Sequence, residues 1–227
     1  MSGIVNPFCA NSPWQRLRLR LHEGTIPLDD RLFQYVGVNQ IRPLVPASTA
    51  SMAFAVVATA GTTNLGIIDD LDGIGKIARD RGIWYHVDGA YGLAALASPR
   101  SKPLFAGVEL ADSFIVDPHK WLFAPFDACA LVYRDPKIAK SAHTQKANYL
   151  ETLDKGEWNP SDYAIHLTRR TRGLPFWFSL AAHGTHQYAL SMDKTMDLAR
   201  EAAQLVREHP NLELLMDPIL SIVAFTR

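Results

Sequence analysis

Cysteine is almost missing from this sequence: Cys9 and Cys129 are the only two in 227 residues. Two thiols exclude a disulfide framework and a cysteine-built zinc site. Cys129 lies in the apolar run 128–133 and reads as a buried core thiol. Net charge is missing too. Lys+Arg is 23 and Asp+Glu is 23, which argues against nucleic acid as the main partner. No apolar stretch reaches the ~18 residues of a membrane span. The N-terminus has neither the basic n-region nor the apolar h-region of a signal peptide, so the expected address is the cytoplasm. Internal repeats and low-complexity tracts are also absent. What remains is the balance of a folded chain, 48% hydrophobic and 20% charged, and its length suits one domain or a little more.

Residues 1–50 carry little pattern. Arg16 to His22 alternates basic and apolar residues, which suits a strand with one buried face. From residue 53 the pattern sharpens. Ala53–Thr59 is a continuous apolar run before the turn signal Ala60-Gly61, as in a strand buried on both faces of a parallel sheet. Asp69 or Asp70 can cap a helix in which Leu71, Ile74, Ile77 and Ala78 share a face. Gly82 stands where a left-handed terminator belongs. Ile83–Val87 is a second buried strand, completing a βαβ unit.

Later elements follow in the same manner. The spacing predicts a short helix over Pro103–Leu110, strands at Ser113–Val116 and Ala128–Tyr133, and a short helix over Asp135–Ala142. Residues 143–166 lack periodicity and read as a long loop, a feature that is usually functional or mobile. A helical pattern fills 174–208, broken at Gly184. Leu212–Met216 and Ile219–Phe225 resemble two short strands opening a smaller unit.

Ligands of open α/β sheets sit beyond the carboxyl ends of the strands. Here those ends read Thr59-Ala60-Gly61-Thr62-Thr63, His86-Val87-Asp88-Gly89-Ala90 and Val116-Asp117-Pro118-His119-Lys120-Trp121. Singly, each has an ordinary reading as turn chemistry, helix cap or surface lysine. Together they bring hydroxyls, an acid beside small residues, and a His-Lys pair to one edge.

The segments ATAGTTNLG (58–66), HVDGAYG (86–92), ADSFIVDPHKW (111–121) and RRTRGLPFW (169–177) resemble the group II pyridoxal-phosphate-dependent amino-acid decarboxylases. That family includes aromatic-L-amino-acid, histidine and glutamate decarboxylases. The resemblance runs from about Ala53 to Arg227. It implies an α/β fold, the aspartate-aminotransferase-like large domain with a mixed, mostly parallel sheet. It divides the chain into a poorly matching segment 1–50, a partial cofactor-binding domain 51–208 and the start of a small C-terminal domain at 209–227.

The resemblance also implies roles. Lys120 would form a Schiff base with the aldehyde of pyridoxal 5'-phosphate, because an amine can lose its proton and attack a carbonyl. Asp88 would pair with the pyridine nitrogen and keep it protonated. Ala90 would lie under the ring, and Thr63, His86 and His119 would approach the cofactor. Tyr149 stands 29 positions after Lys120, where the family carries a loop tyrosine that protonates the substrate α-carbon. The implied reaction is decarboxylation of an L-amino acid, an aromatic one among the candidates, by a homodimer.

Departures accompany the match. Residues 1–50 hold no Gly/Ser-rich phosphate loop, and His22 does not fit the ring-stacking histidine. Family members are roughly twice this length, as two-domain enzymes are, so the chain reads as truncated at both ends. Gly89 replaces the usual alanine, a change expected to be mild. The alternatives are a catalytically inactive remnant and another fold-type-I lyase or transaminase. A metal site from His86, Asp88 and His119 is a third reading, disfavoured because Lys120 beside a ligand would repel the ion.

Overall fold

The computed structural model describes residues 54–143 and 159–227. Contacts divide the chain into Met1–Phe54 and Ala55–Arg227, and the account below concerns the second unit. Tyr149 and the alternation at Arg16–His22 lie outside the described residues.

Four strands form one sheet: β1 (Ala55–Thr59), β2 (Trp84–Asp88), β3 (Ser113–Val116) and β4 (Ala130–Tyr133), paired in that order. The first three run parallel and β4 is antiparallel to β3. Between β1 and β2 runs α1 (Leu71–Arg81). Asp70, not Asp69, caps it: its Oδ1 accepts from Gly73 N at 2.9 Å. Gly82 ends it at φ 62°, its N–H reaching the carbonyls of Ala78 and Arg79, the left-handed stop that a glycine adopts without steric cost.

Side chains alternate across the sheet. Ala58 and Val87 are fully buried on the α1 side, with Tyr85, whose hydroxyl donates to Leu71 O at 2.9 Å. Val57, His86 and Ser113 are register partners on the opposite face. There Val57 is 44% exposed while Thr59, two residues on, is buried, so the cover that the continuous apolar run predicts on both faces is partial among the described residues. Among the described residues no helix covers that face of β1.

The Pro103–Leu110 helix is two separate 3-10 turns, Lys102–Phe105 and Val108–Leu110. Gly107 divides them at φ 99°. A Cβ there would stand 2.2 Å from the backbone N of Asp72, so the chain must pass this close to the start of α1 without a side chain. Cys129 is exposed, not a core thiol. It directly precedes β4, the outermost of the described strands on that side, where Leu131 and Val132 are also exposed.

Helix α2 spans Pro136–His143. Helix α3 spans Gly173–Glu208 with a kink at Gly184 (φ 74°, ψ 157°), where the sequence pattern breaks. Beyond the kink, Tyr188, Met192, Met196, Ala199, Ala203 and Val206 form its buried stripe, at the spacing one helix face requires. The last two strands are shorter than predicted: β5 (Glu213–Leu214) and β6 (Phe225–Thr226), antiparallel. The apolar stretch Ile219–Val223 forms no strand.

Candidate active site

Backbone bonds knit the three parallel strand ends together. Ala60 N donates to Asp88 O at 2.8 Å, Gly89 N to Ile115 O at 3.2 Å, and Asp117 N to Ala90 O at 2.9 Å. The segments carrying Thr63, Asp88 and Lys120 therefore share one edge, as their positions in the sequence imply. A cleft of about 410 Å³ opens there, lined by Thr63, Tyr91, Lys120, Trp121 and Ile222.

The Lys120 amine pairs with Asp117 Oδ2 at 2.9 Å, and the lysine side chain is 42% exposed. Asp117 is nearly buried, so its carboxylate depends on this partner. It also stands beside Cys129, whose thiol is pushed up to about 11 by partial burial and by that carboxylate. The Lys120 segment is anchored further along. Trp121 Nε1 donates to Thr195 Oγ1 on α3 at 2.9 Å. Arg170 and Arg172, just before α3, both pair with Asp127, which ties the RRTR element to the loop following Lys120.

Asp88 and His86 leave β2 on the same face. An oxygen of Asp88 receives the Ala90 N–H at 3.3 Å. Burial holds His86 below the usual imidazole range, against the opposing pull of Asp88 and Ser113. Its Nδ1 shares a hydrogen bond with Ser113 Oγ at 2.8 Å, and the same hydroxyl oxygen accepts from Trp84 Nε1 at 2.9 Å. Neither Asp88 nor His86 is among the residues that line the cleft, and His119 is likewise held elsewhere. Its Nδ1 lies 2.5 Å from Ala128 O and 3.1 Å from Ala128 N, its ring meets the edge of Phe126, and it does not line the cleft. His86, Asp88 and His119 thus have separate partners, and among the described residues no three metal-ligating side chains gather.

Three cleft residues have no role in the sequence reading. Tyr91 and Trp121 stand inside the quoted motifs, and their rings stack at 5.1 Å and 17°. Adjacency to Asp88 and Lys120 is a usable signal for both. Ile222 has none, because it arrives from the far end of the chain.

Gly89 is not a mild replacement. A Cβ there would lie 2.0 Å from Leu93 Cγ and 2.6 Å from Leu93 Cβ, and Leu93 is buried. Gly89→Ala should cost about 1–3 kcal/mol, the penalty of overpacking. Leu93→Ala in the same chain removes the Cγ contact but keeps the Cβ contact, so it should recover only part of that loss. Urea denaturation of both singles and the double checks this, and strictly additive losses would place the conflict elsewhere.

Known decarboxylases are similar to this chain in sequence and fold. The chain is 33% identical over 175 residues to an aromatic-L-amino-acid decarboxylase of Bacillus atrophaeus, covering 76% of this chain and 36% of that one. It is 34% identical over 172 residues to acidic amino acid decarboxylase GADL1 of Xenopus tropicalis, covering 74% and 34%. The crystal structure of mouse CSAD superposes with a TM-score of 0.74 at 30% identity, covering 87% of this chain and 41% of that one. Rice (Oryza sativa) TDC with PLP and tryptamine gives 0.77 at 26%, covering 84% and 40%. The chain thus spans about a third of the length of the curated relatives it matches. The pyridoxal-dependent decarboxylase conserved domain matches residues 18–227, and the chain belongs to that family.

Proposed function

We propose that this chain carries the lysine half of a pyridoxal 5'-phosphate site, and that the whole protein removes the carboxyl group of an L-amino acid as carbon dioxide. One observation carries the reading. A partly exposed lysine amine lines a cleft at the edge where the parallel strand ends meet, beside the segments bearing Thr63 and Asp88. These residues fit the cofactor. Lys120 offers the amine that would bond to its aldehyde carbon. Asp88 offers an acceptor for its ring nitrogen, Ala90 a small side chain beneath a flat ring, and Thr63 a hydroxyl. Pyridoxal phosphate, when bound, supplies an electron sink for the charge left by carbon dioxide. His86, kept neutral near pH 7 by burial, would hold an oxygen of substrate or cofactor. His119 is a candidate at the same edge, engaged with Ala128.

Borohydride reduction in the presence of pyridoxal phosphate, followed by peptide mapping, tests the assignment. A label on Lys120 is expected. A label on Lys76, Lys102 or Lys137 in its place would overturn it.

The cleft wall supports an aromatic substrate. Tyr91, Trp121 and Ile222 offer apolar surfaces, and Lys120 is the one cation among the described residues that line it, so a second carboxylate would meet no second cation among them. Carbon dioxide release from L-tryptophan and L-tyrosine should exceed that from L-glutamate and L-aspartate. The reverse order would assign the acidic class.

Tyr149 is proposed as the proton donor to the substrate α-carbon. Tyr149→Phe keeps the ring and removes the acid. The variant should release carbon dioxide yet yield less amine and, by reaction with oxygen, more aldehyde. An amine-to-aldehyde ratio equal to the parent's would assign the proton to another group.

The same reading makes the protein a cytoplasmic homodimer. Leu174, Trp177 and Phe178 are exposed on the first half of α3, an apolar surface of the kind that partners cover. Among the described residues no helix is long and apolar enough to cross a membrane.

A further inference from the structure

The cleft has one wall built by residues remote in sequence. Leu220–Ile222 lies between the two short strands β5 and β6 and rests on the turn that follows β1. Leu220 is 1% exposed. A Cβ on Gly61 would sit 3.2 Å from Leu220 Cδ1, and one on Gly66 would sit 3.7 Å from Leu220 Cβ and 3.9 Å from Ile222 Cδ1. Both glycines have positive φ, 105° and 68°, so the turn keeps its shape only with glycine there. The segment thus seats against the strand end that bears Thr63, and Ile222 faces the cleft.

Polar contact fastens it from the other side. The Tyr91 hydroxyl lies 2.5 Å from Ser221 Oγ and accepts the Ser221 N–H at 3.1 Å. The two residues are 130 positions apart. The ring of Tyr91 stacks on Trp121, which follows Lys120 directly and is itself anchored to Thr195. One phenol therefore joins the C-terminal segment to the side chain next to the amine.

We propose that Tyr91 and Ser221 form a latch that holds Leu220–Ile222 as a wall of the cleft, making Tyr91 a positioning residue for the bound cofactor. Tyr91 carries both hydrogen bonds, and Ser221 contributes one hydroxyl and one amide. The ring stack alone would hold Trp121 in place but would not hold the segment. The ligand half of the proposal rests on the pyridoxal-phosphate reading. The latch itself does not.

A variant series on the 227-residue chain separates the two. Amide hydrogen exchange over residues 220–223 reads the latch without any ligand. Tyr91→Phe keeps the stack and loses both bonds, so exchange there should rise roughly tenfold, as two hydrogen bonds of ordinary net strength imply. Ser221→Ala loses only the hydroxyl and should give about a third of that rise on the same principle. Ser221→Thr should match the parent. The double variant should equal Tyr91→Phe alone, because no partner is left to lose.

Pyridoxal phosphate affinity, read from quenching of tryptophan emission, should fall in the same order across the series. Unchanged exchange in Tyr91→Phe would overturn the latch, as would effects that multiply in the double variant. Faster exchange with parent-like affinity would overturn the positioning role. A parent that binds no pyridoxal phosphate would sink the cofactor reading and with it the positioning role, while the exchange series would still decide the latch.

Discussion

Lys120→Ala should abolish covalent retention of pyridoxal phosphate and reduce turnover, in a preparation whose parent turns over, on the order of 10⁴-fold or more, as loss of a central catalytic group does. Among the described residues that line the cleft, Lys120 alone carries an amine. Lys76, whose amine is held by Asp72 at 2.6 Å, lies on α1 and not at this edge. A structural loss must be separated from a chemical one. Lys120→Ala leaves the nearly buried Asp117 carboxylate without its ion pair, and such a hydrogen bond to a charged group is worth about 1.5–3 kcal/mol. Lys120→Gln keeps a donor toward Asp117 and lacks the amine. It should unfold closer to the parent in urea and still be inactive. Retained turnover in Lys120→Gln would remove Lys120 from the chemistry.

Asp88→Asn should retain cofactor and lose turnover by roughly 10²–10³-fold, the usual cost of removing one electrostatic partner of a transition state. The amide keeps the shape of the side chain but cannot hold a proton on the ring nitrogen. The backbone of Asp88 accepts from Ala60 and pairs with Thr59 and Ile115, and none of those bonds uses the carboxylate. The sheet should therefore be intact, with circular dichroism and urea midpoint near the parent's. Near-normal carbon dioxide release from a verified Asp88→Asn protein would refute the role.

Both predictions concern residues that are legible in the chain itself. Asp88 ends one parallel strand and Lys120 follows the next, and strand ends announce themselves by a run of apolar residues followed by turn chemistry. The cap at Asp70, the stop at Gly82 and the kink at Gly184 are readable for the same reason: each is a preference of the backbone over a few residues. Burial is less legible. The run Ala128–Tyr133 predicts a core strand, yet among the described residues it forms the outermost strand on its side, and Cys129 is exposed there. Apolar composition records what a strand tolerates, not what covers it. The Gly89 substitution reads as mild because its constraint, the buried side chain of Leu93, is a matter of packing.

That Lys120 and Asp88 act at the sheet edge is what the family resemblance implies; by itself, the sequence determined the β1–α1–β2 unit, the strands β3 and β4, and the edge where the parallel strand ends gather. These follow from periodicity, capping and the residues that end a strand, all local in the chain. Tertiary structure alone decided which of the neighbouring groups face the cleft. It placed the His119 ring against Ala128 and brought Trp121 and Tyr91 into a stack. It also closed the cleft with Ile222, through a hydroxyl pair spanning 130 residues. Such contacts depend on side-chain direction and on loops meeting across the fold, and no spacing along the chain encodes them.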